Sequence, residues 1–340
     1  MKTPDNPLSV TRRDFLKSSA LLSTAFAGAP GIVWRQTTES RRPRKAIPVI
    51  LATDIGDDID DTWALGFLLK SPELELKLAL TEYGKAQYRA RLLAKLLEVT
   101  GHSHVPVAIG PDADPRGEGD QAVCVKDYDI GSYPGKVHAD GVQALIDTIM
   151  GSKEKITLIC IGPMPNVATA LAREPRIAKR ARIVGMDGSV RKGYGGSPQT
   201  CAEWNVKAAP KAAQQVLAAP WDITITPLDT CGLVTLSGER YASLLKSKDP
   251  IVSTIIENYR LWSRSHNNSA EAERASSVLF DTVAVYLAFA HKLCKMERLG
   301  IRVSDDGFTL VDDHAKSMNV ATAWDTLDGY RDLLVSRLLA

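Results

Sequence analysis

The stretch Ala52–Leu65, ATDIGDDIDDTWAL, sets five aspartates (Asp54, Asp57, Asp58, Asp60 and Asp61) within eight residues, directly after the apolar run AIPVIL. Carboxylates crowded at the end of a buried strand repel one another, so something positive must offset them. Helix capping by Asp58 or Asp60 accounts for one or two of the five. A hard divalent cation accounts for the group, because Ca²⁺ takes about six to eight oxygen ligands and favours carboxylates. The loop is not an EF-hand: the Gly at its sixth position and the Glu at its twelfth are absent.

The elements around the cluster alternate. Apolar runs rich in Ile, Val and Leu read as strands at 47–53, 74–81, 105–110, 156–162, 181–188 and 222–228. Helical patterns lie between them, among them DTWALGFLLKS, YRARLLAKLLEVTG, DGVQALIDTIMGS and APKAAQQVLAAP. Apolar runs that lack period-two alternation belong to strands covered on both faces. Strand and helix in alternation give an α/β fold, with an open, mostly parallel central sheet and helices on both faces. In such sheets ligands bind outside the carboxyl ends of the strands. Asp54 lies at such an end, and Asp60 and Asp61 open the next helix, where the helix dipole favours negative charge. GIRVSDDGFTLVDD reads as an antiparallel hairpin turning at Asp305-Asp306-Gly307, and TAWDTLDGYRDLLVSRLL as a closing amphipathic helix.

Composition narrows the classes. The 340 residues are 44% hydrophobic and 24% charged, which is ordinary for a globular protein. A formal net charge of +2 gives no electrostatic footprint for nucleic acid or an acidic membrane. The five cysteines are scattered without a C-x-x-C pair, so they read as buried thiols rather than a zinc site or disulfide framework. At the N-terminus, Arg12-Arg13, a short apolar run and Ala25-Phe26-Ala27 resemble a twin-arginine export signal with its cleavage site. The expected organisation is a signal peptide at 1–27, a linker at 28–44 and one domain at 45–340. The exported chain is expected in the periplasm or outside the cell. The apolar run is too short to span a bilayer, so no stable membrane anchor is expected after cleavage.

Two known patterns resemble the aspartate segment. Asp58-Ile-Asp-Asp-Thr62 matches the D-x-D-x-T of haloacid-dehalogenase-like phosphatases, although their nucleophile directly follows the first strand, a place held here by Asp54. ILATDIGDDIDDTWAL resembles more closely the N-terminal motif of the inosine–uridine-type nucleoside hydrolases, in a bacterial variant with D-I-G-x-D-x-D-D. The resemblance continues in order along the chain. VPVAIGPD (105–112), HADG (138–141), LICIGPMPNVATAL (158–171), VGMDGSV (184–190), AEWNVKAAPKAA (202–213) and LFDTVAVYLA (279–288) each look like a segment of that family. Consistent order over roughly 240 residues gives such short motifs their force.

The resemblance implies a Rossmann-like nucleoside hydrolase fold and Ca²⁺-dependent hydrolysis of a ribonucleoside or related N-riboside. Asp54, Asp61 and Asp281 are then metal ligands, with Ile161 contributing its backbone carbonyl. Asp58 is either an extra ligand or a helix cap. Asp54 is also the base that activates water, Asp60 holds a ribose hydroxyl, and Glu203 and Asn205 hold the others. Asp281 borders the substrate as well. His138 is the remaining candidate for protonating the departing base, because Phe280 stands where many members carry His; a lone histidine serves equally as a structural residue. Lys85 and Ser197 fall where sugar-binding asparagines are expected. Loss of those groups leaves open a non-catalytic ribose- or metal-binding protein of the same fold. The partner implied is a small nucleoside, and the family's habit implies a homodimer or tetramer. NYRLWSRSHN (258–267) reads first as a helix packing its aromatic face, with contact of Tyr259, Trp262 and His266 to a substrate base as the alternative, and RKGYGGSP (191–198) reads as a mobile rim loop.

Overall fold

The computed structural model describes residues 45–111 and 117–340. The expected signal peptide and the linker therefore lie outside the described residues. In chain order, the first half comprises β1 (Ile47–Thr53), α1 (Asp60–Leu69), β2 (Leu74–Thr81), α2 (Ala86–Val99), β3 (Val107–Ala108), β4 (Val137–His138), α3 (Gly141–Gly151), β5 (Ile156–Cys160) and α4 (Pro165–Arg173). There follow α5 (Ile177–Arg180), β6 (Ala181–Met186), α6 (Trp204–Ala208), α7 (Pro210–Ala218), β7 (Asp222–Thr226), α8 (Gly238–Leu245), α9 (Pro250–Ser265) and α10 (Thr282–Phe289). The chain closes with β8 (Cys294–Val303), β9 (Thr309–Val311), β10 (Ser317–Trp324) and α11 (Leu327–Leu339).

One ten-stranded sheet runs β4-β3-β2-β1-β5-β6-β7-β10-β8-β9. Every pairing from β4 to β10 is parallel, and β10/β8 and β8/β9 are antiparallel. β1 shows why. Val49 and Leu51 enter the apolar cluster on one face, while Ile50 and Ala52 enter the other, so both faces are covered. The first cluster takes residues from α1, α2, α9, α10 and α11, and the second from α3, α4 and α7.

Strand order reverses at β1, which lies between β2 and β5. The chain thus leaves β1 toward one side and later returns on the other, opening a crevice at the carboxyl ends of β1 and β5. The aspartate stretch begins at that point.

Strands expected at 47–53 and 74–81 match β1 and β2 to the residue, whereas only Val107–Ala108 of the run 105–110 pairs. The hairpin forms, with Gly307 at φ +86° and its N–H donating to Ser304 O at 3.1 Å. The closing helix is shorter than expected. Thr322–Trp324 belong to β10, which pairs with β7 and β8, and the helix starts at Leu327 after the cap Thr326. All five cysteines are free thiols, with Cys201 half-buried and the rest buried. Among the described residues no helix is long and apolar enough to cross a membrane.

Candidate active site

The buried carboxylates come from three separate places in the chain. Asp60 and Asp61 occupy the first turn of α1, and Asp281 immediately precedes α10. One carboxylate oxygen from each lies within 4.8 Å of the other two, and the three residues are 5% exposed or less. Burial, and then the negative neighbours of each, pushes all three well above the usual carboxylate range. Three ionised carboxylates cannot share so dry a space unaided. A hard cation resolves the conflict, and an all-oxygen donor set suits Ca²⁺ or a similar ion. Thr53 at the end of β1 braces the nest, its hydroxyl donating to Asp61 Oδ1.

Asp54 follows β1 directly and is 7% exposed. Burial pushes its carboxyl up to about 6, against the opposing charge of Arg89. Ile161 continues β5 and donates its N–H to Ala52 O at 2.9 Å, so it forms the floor beside Asp54. Gly162 follows; a Cβ there would sit 2.5 Å from Asp54 Oδ1, so only glycine lets the exit of β5 approach this closely.

Buried polar groups hold the loop between β1 and α1. Arg89 of α2 is 1% exposed and donates to Asp54 O, to Ile55 O at 2.9 Å and to Asp57 Oδ2 at 2.9 Å. Lys85 Nζ reaches Asp57 Oδ1 at 2.7 Å. Gln121 donates to Asp58 O at 2.8 Å and accepts from Thr62 Oγ1 at 3.1 Å. Asp58 Oδ1 accepts only the N–H of Ile59, at 2.7 Å, and α1 has no side-chain cap. The expected capping role of Asp58 is thus not formed, because the carboxylate stops one residue short of the helix. The phosphatase pattern fails on geometry too, since Asp54, not Asp58, follows the strand.

Across the crevice, Glu203 caps α6. Its oxygens accept Asn205 N at 2.8 Å and Gly188 N at 2.9 Å, and burial pushes its carboxyl up to about 7 despite those donors. Asn205 is anchored through Nδ2 to Met186 O at 2.8 Å. Asp54, the nest, Ile161, Glu203, Asn205 and Asp58 all line one pocket of about 310 Å³, the size of a small-ligand site.

His138 is not brought there. It lies on β4, the outer strand of the sheet, half-buried and away from the pocket lining. Lys85 points to Asp57, and Ser197 lies outside the lining. In their place stand residues that sequence reasoning did not assign to the site: Asp57, Asp120, Trp262 and His266, with Tyr194 and Trp204. The 258–267 helix only partly packs its aromatic face. Tyr259 is buried edge-on against Trp63, whereas Trp262 and His266 line the pocket with ring centroids 4.1 Å apart. Their i, i+4 spacing was the available signal; Asp120 carried none.

Fold and site together define an α/β enzyme built around a switch-point crevice and a cation-ready carboxylate nest. Solved structures of similar fold include a nucleoside hydrolase from Bacillus anthracis (TM-score 0.71, 22% identity, covering 86% of this chain and 99% of that one). A plant nucleoside hydrolase, PpNRh1, aligns with TM-score 0.71 and 24% identity over 86% of this chain and 99% of its own. By sequence, the chain is 30% identical over 263 residues to the non-specific ribonucleoside hydrolase RihC of Klebsiella pneumoniae strain 342, covering 71% of this chain and 83% of that protein. It is 36% identical over 202 residues to the inosine-uridine preferring nucleoside hydrolase of Leishmania major, covering 55% of this chain and 61% of that protein. The family model for inosine-uridine preferring nucleoside hydrolases matches residues 49–329. The chain belongs to that family and is an N-glycosidase.

Proposed function

We propose that this pocket hydrolyses the N-glycosidic bond of a ribonucleoside with the help of a calcium ion, releasing base and ribose. The observation that carries the reading is the convergence of Asp54 with the Asp60–Asp61–Asp281 nest at the switch point, facing Glu203 and Asn205. Asp61, Asp281, Asp54 and the carbonyl of Ile161 are the candidates to hold the ion. Asp60 lies in the same nest, close enough to ligate as well as to hold a sugar hydroxyl. The chemistry such an ion supplies when bound is positive charge, which fixes sugar hydroxyls and lowers the pKa of water.

The protein's own groups do the rest. Asp54 accepts the proton of the attacking water, its backbone carbonyl clamped by Arg89 and its carboxylate set against Gly162. Glu203 and Asn205 bind the sugar opposite the nest. The surrounding carboxylates stabilise the oxocarbenium-like transition state as the glycosidic bond lengthens.

The test is ribose release from a nucleoside panel by purified residues 28–340, with calcium and with chelator, beside Asp54→Ala. Calcium-dependent release lost in the variant is expected. Calcium binding without release from any riboside would instead favour a binding protein, the reading motivated by Phe280. Export by the twin-arginine route is proposed on residues 12–27, and recovery of full-length chain only from the cytoplasm would overturn it. A homo-oligomer is proposed from the family's habit, with sedimentation as its check.

A further inference from the structure

We propose that the pocket favours N-ribosides whose base carries a fixed positive charge on the glycosidic ring, such as pyridinium or N-alkylated purinium ribosides. The inference rests on the N-glycosidase reading and names its substrate class.

Three observations on the pocket wall point the same way. The first concerns protons. A neutral base leaves as an anion unless an acid protonates it. Phe280, beside Asp281, is apolar and stands edge-on to Tyr194, with centroids 6.0 Å apart. Burial pushes the Tyr194 hydroxyl well above its ordinary value, and that oxygen already accepts Trp204 N at 3.1 Å. His266 has both ring nitrogens engaged: Nδ1 lies 3.0 Å from Trp262 O and 3.1 Å from Ser265 Oγ, and Nε2 lies 3.5 Å from Asp120 Oδ2. Among the described side chains on this wall, Phe280 carries no proton to give, Tyr194 is a weakened acid, and His266 is held between Trp262 O and Asp120.

The second observation is charge. Asp57 is balanced by Lys85 and Arg89. Asp58 and Asp120, which line the same wall, have no Lys or Arg partner among the described residues, and His266 is the one basic side chain set against them. The third is shape. The Trp262 indole is fixed by donating to Asp57 O at 2.9 Å and is stacked on His266 at an interplanar angle of 30°. A fixed aromatic plane beside carboxylates that no Lys or Arg among the described residues offsets is a cation-recognising surface.

A cationic base removes the need for an acid. When the C1′–N bond breaks, its electron pair returns to the ring nitrogen and cancels the positive charge, so the base departs neutral. The water oxygen forms the new bond at C1′, and the displaced water proton passes to Asp54. One cationic riboside and one water yield ribose, a neutral base and one proton.

The test compares kcat/KM for nicotinamide riboside and N7-methylguanosine with that for inosine and uridine, using the calcium-loaded protein. The cationic substrates are expected to lead by about tenfold or more, the size of a desolvated cation–aromatic contact with nearby carboxylates. Asp120→Asn should narrow that lead. Quenching of tryptophan fluorescence by 1-methylnicotinamide, a cation that cannot turn over, should exceed that by neutral nicotinamide and weaken in Asp120→Asn. Asp120 is half-exposed, so this variant is expected to fold. Inosine hydrolysed as well as the cationic ribosides would overturn the inference and leave the glycosidase reading standing. Failure of every riboside, neutral and cationic, would overturn both.

Discussion

Single side chains at this site act through charge and through space. Asp281 brings a third buried carboxylate to Asp60 and Asp61, and all three are pushed up by burial and then by the carboxylates around them, Asp54 among them in each case. Asp281→Asn removes one of those charges and one ligand. Its metal-free form should melt no lower than the parent, while the rise in Tm on adding calcium should disappear in paired thermal scans. Ribose release should fall by about 100-fold or more. Gly162 acts through space alone. In Gly162→Ala the new methyl would press on Asp54 Oδ1 and move it by a fraction of an ångström. Such misplacement costs on the order of 100-fold in kcat, with a smaller change in KM, when initial rates are measured across substrate concentration.

At the scale of elements, α2 is the brace of the catalytic loop. Its buried Arg89 guanidinium spreads over Tyr83 O at 3.2 Å, Asp54 O, Ile55 O and the partly exposed Asp57 carboxylate. Removing the cation leaves three carbonyls short of a donor and Asp57 with Lys85 alone. Arg89→Met should cost about 3–5 kcal/mol in urea unfolding. Arg89→Lys should recover the charge but not the forked donation, and so only part of the loss. The same argument explains the departure at Lys85: it reaches the loop carboxylate rather than the sugar.

For the whole molecule, Asp187 ties stability to pH. It follows β6 with no exposure, and neither carboxylate oxygen has a hydrogen-bond partner. Burial, then the nearby Glu203, pushes its carboxyl well above the ordinary range. The folded protein therefore holds a proton that the unfolded chain releases above about pH 4. This group's stabilising share is present below that unfolded value and is lost as pH rises toward the folded one. Asp187→Asn carries no such proton, so its unfolding free energy should decline less between about pH 4 and 7 in urea titrations at each pH. A parallel decline in both proteins would show that Asp187 is not the group responsible.

The sequence by itself determined what is local. Val49–Ala52 could only be a strand buried on both faces, and the aspartates after it could only sit at a strand's carboxyl end, because both follow from side-chain pattern and hydration over a few residues. Motif order then carried the family and most of the metal-side residues. What tertiary structure decided is non-local. Asp281 meets Asp60 and Asp61 because α10 packs on α1, and β10 forms because β7 and β8 offer it partners on both edges. His138 lies outside the pocket because β4 pairs only at the sheet's outer edge. Trp262, His266 and Asp120 reach the wall because α9 and the segment around Gln121 fold over the aspartate loop. Spacing along a chain specifies which face a side chain takes, but which distant face it meets is set only when the layers pack.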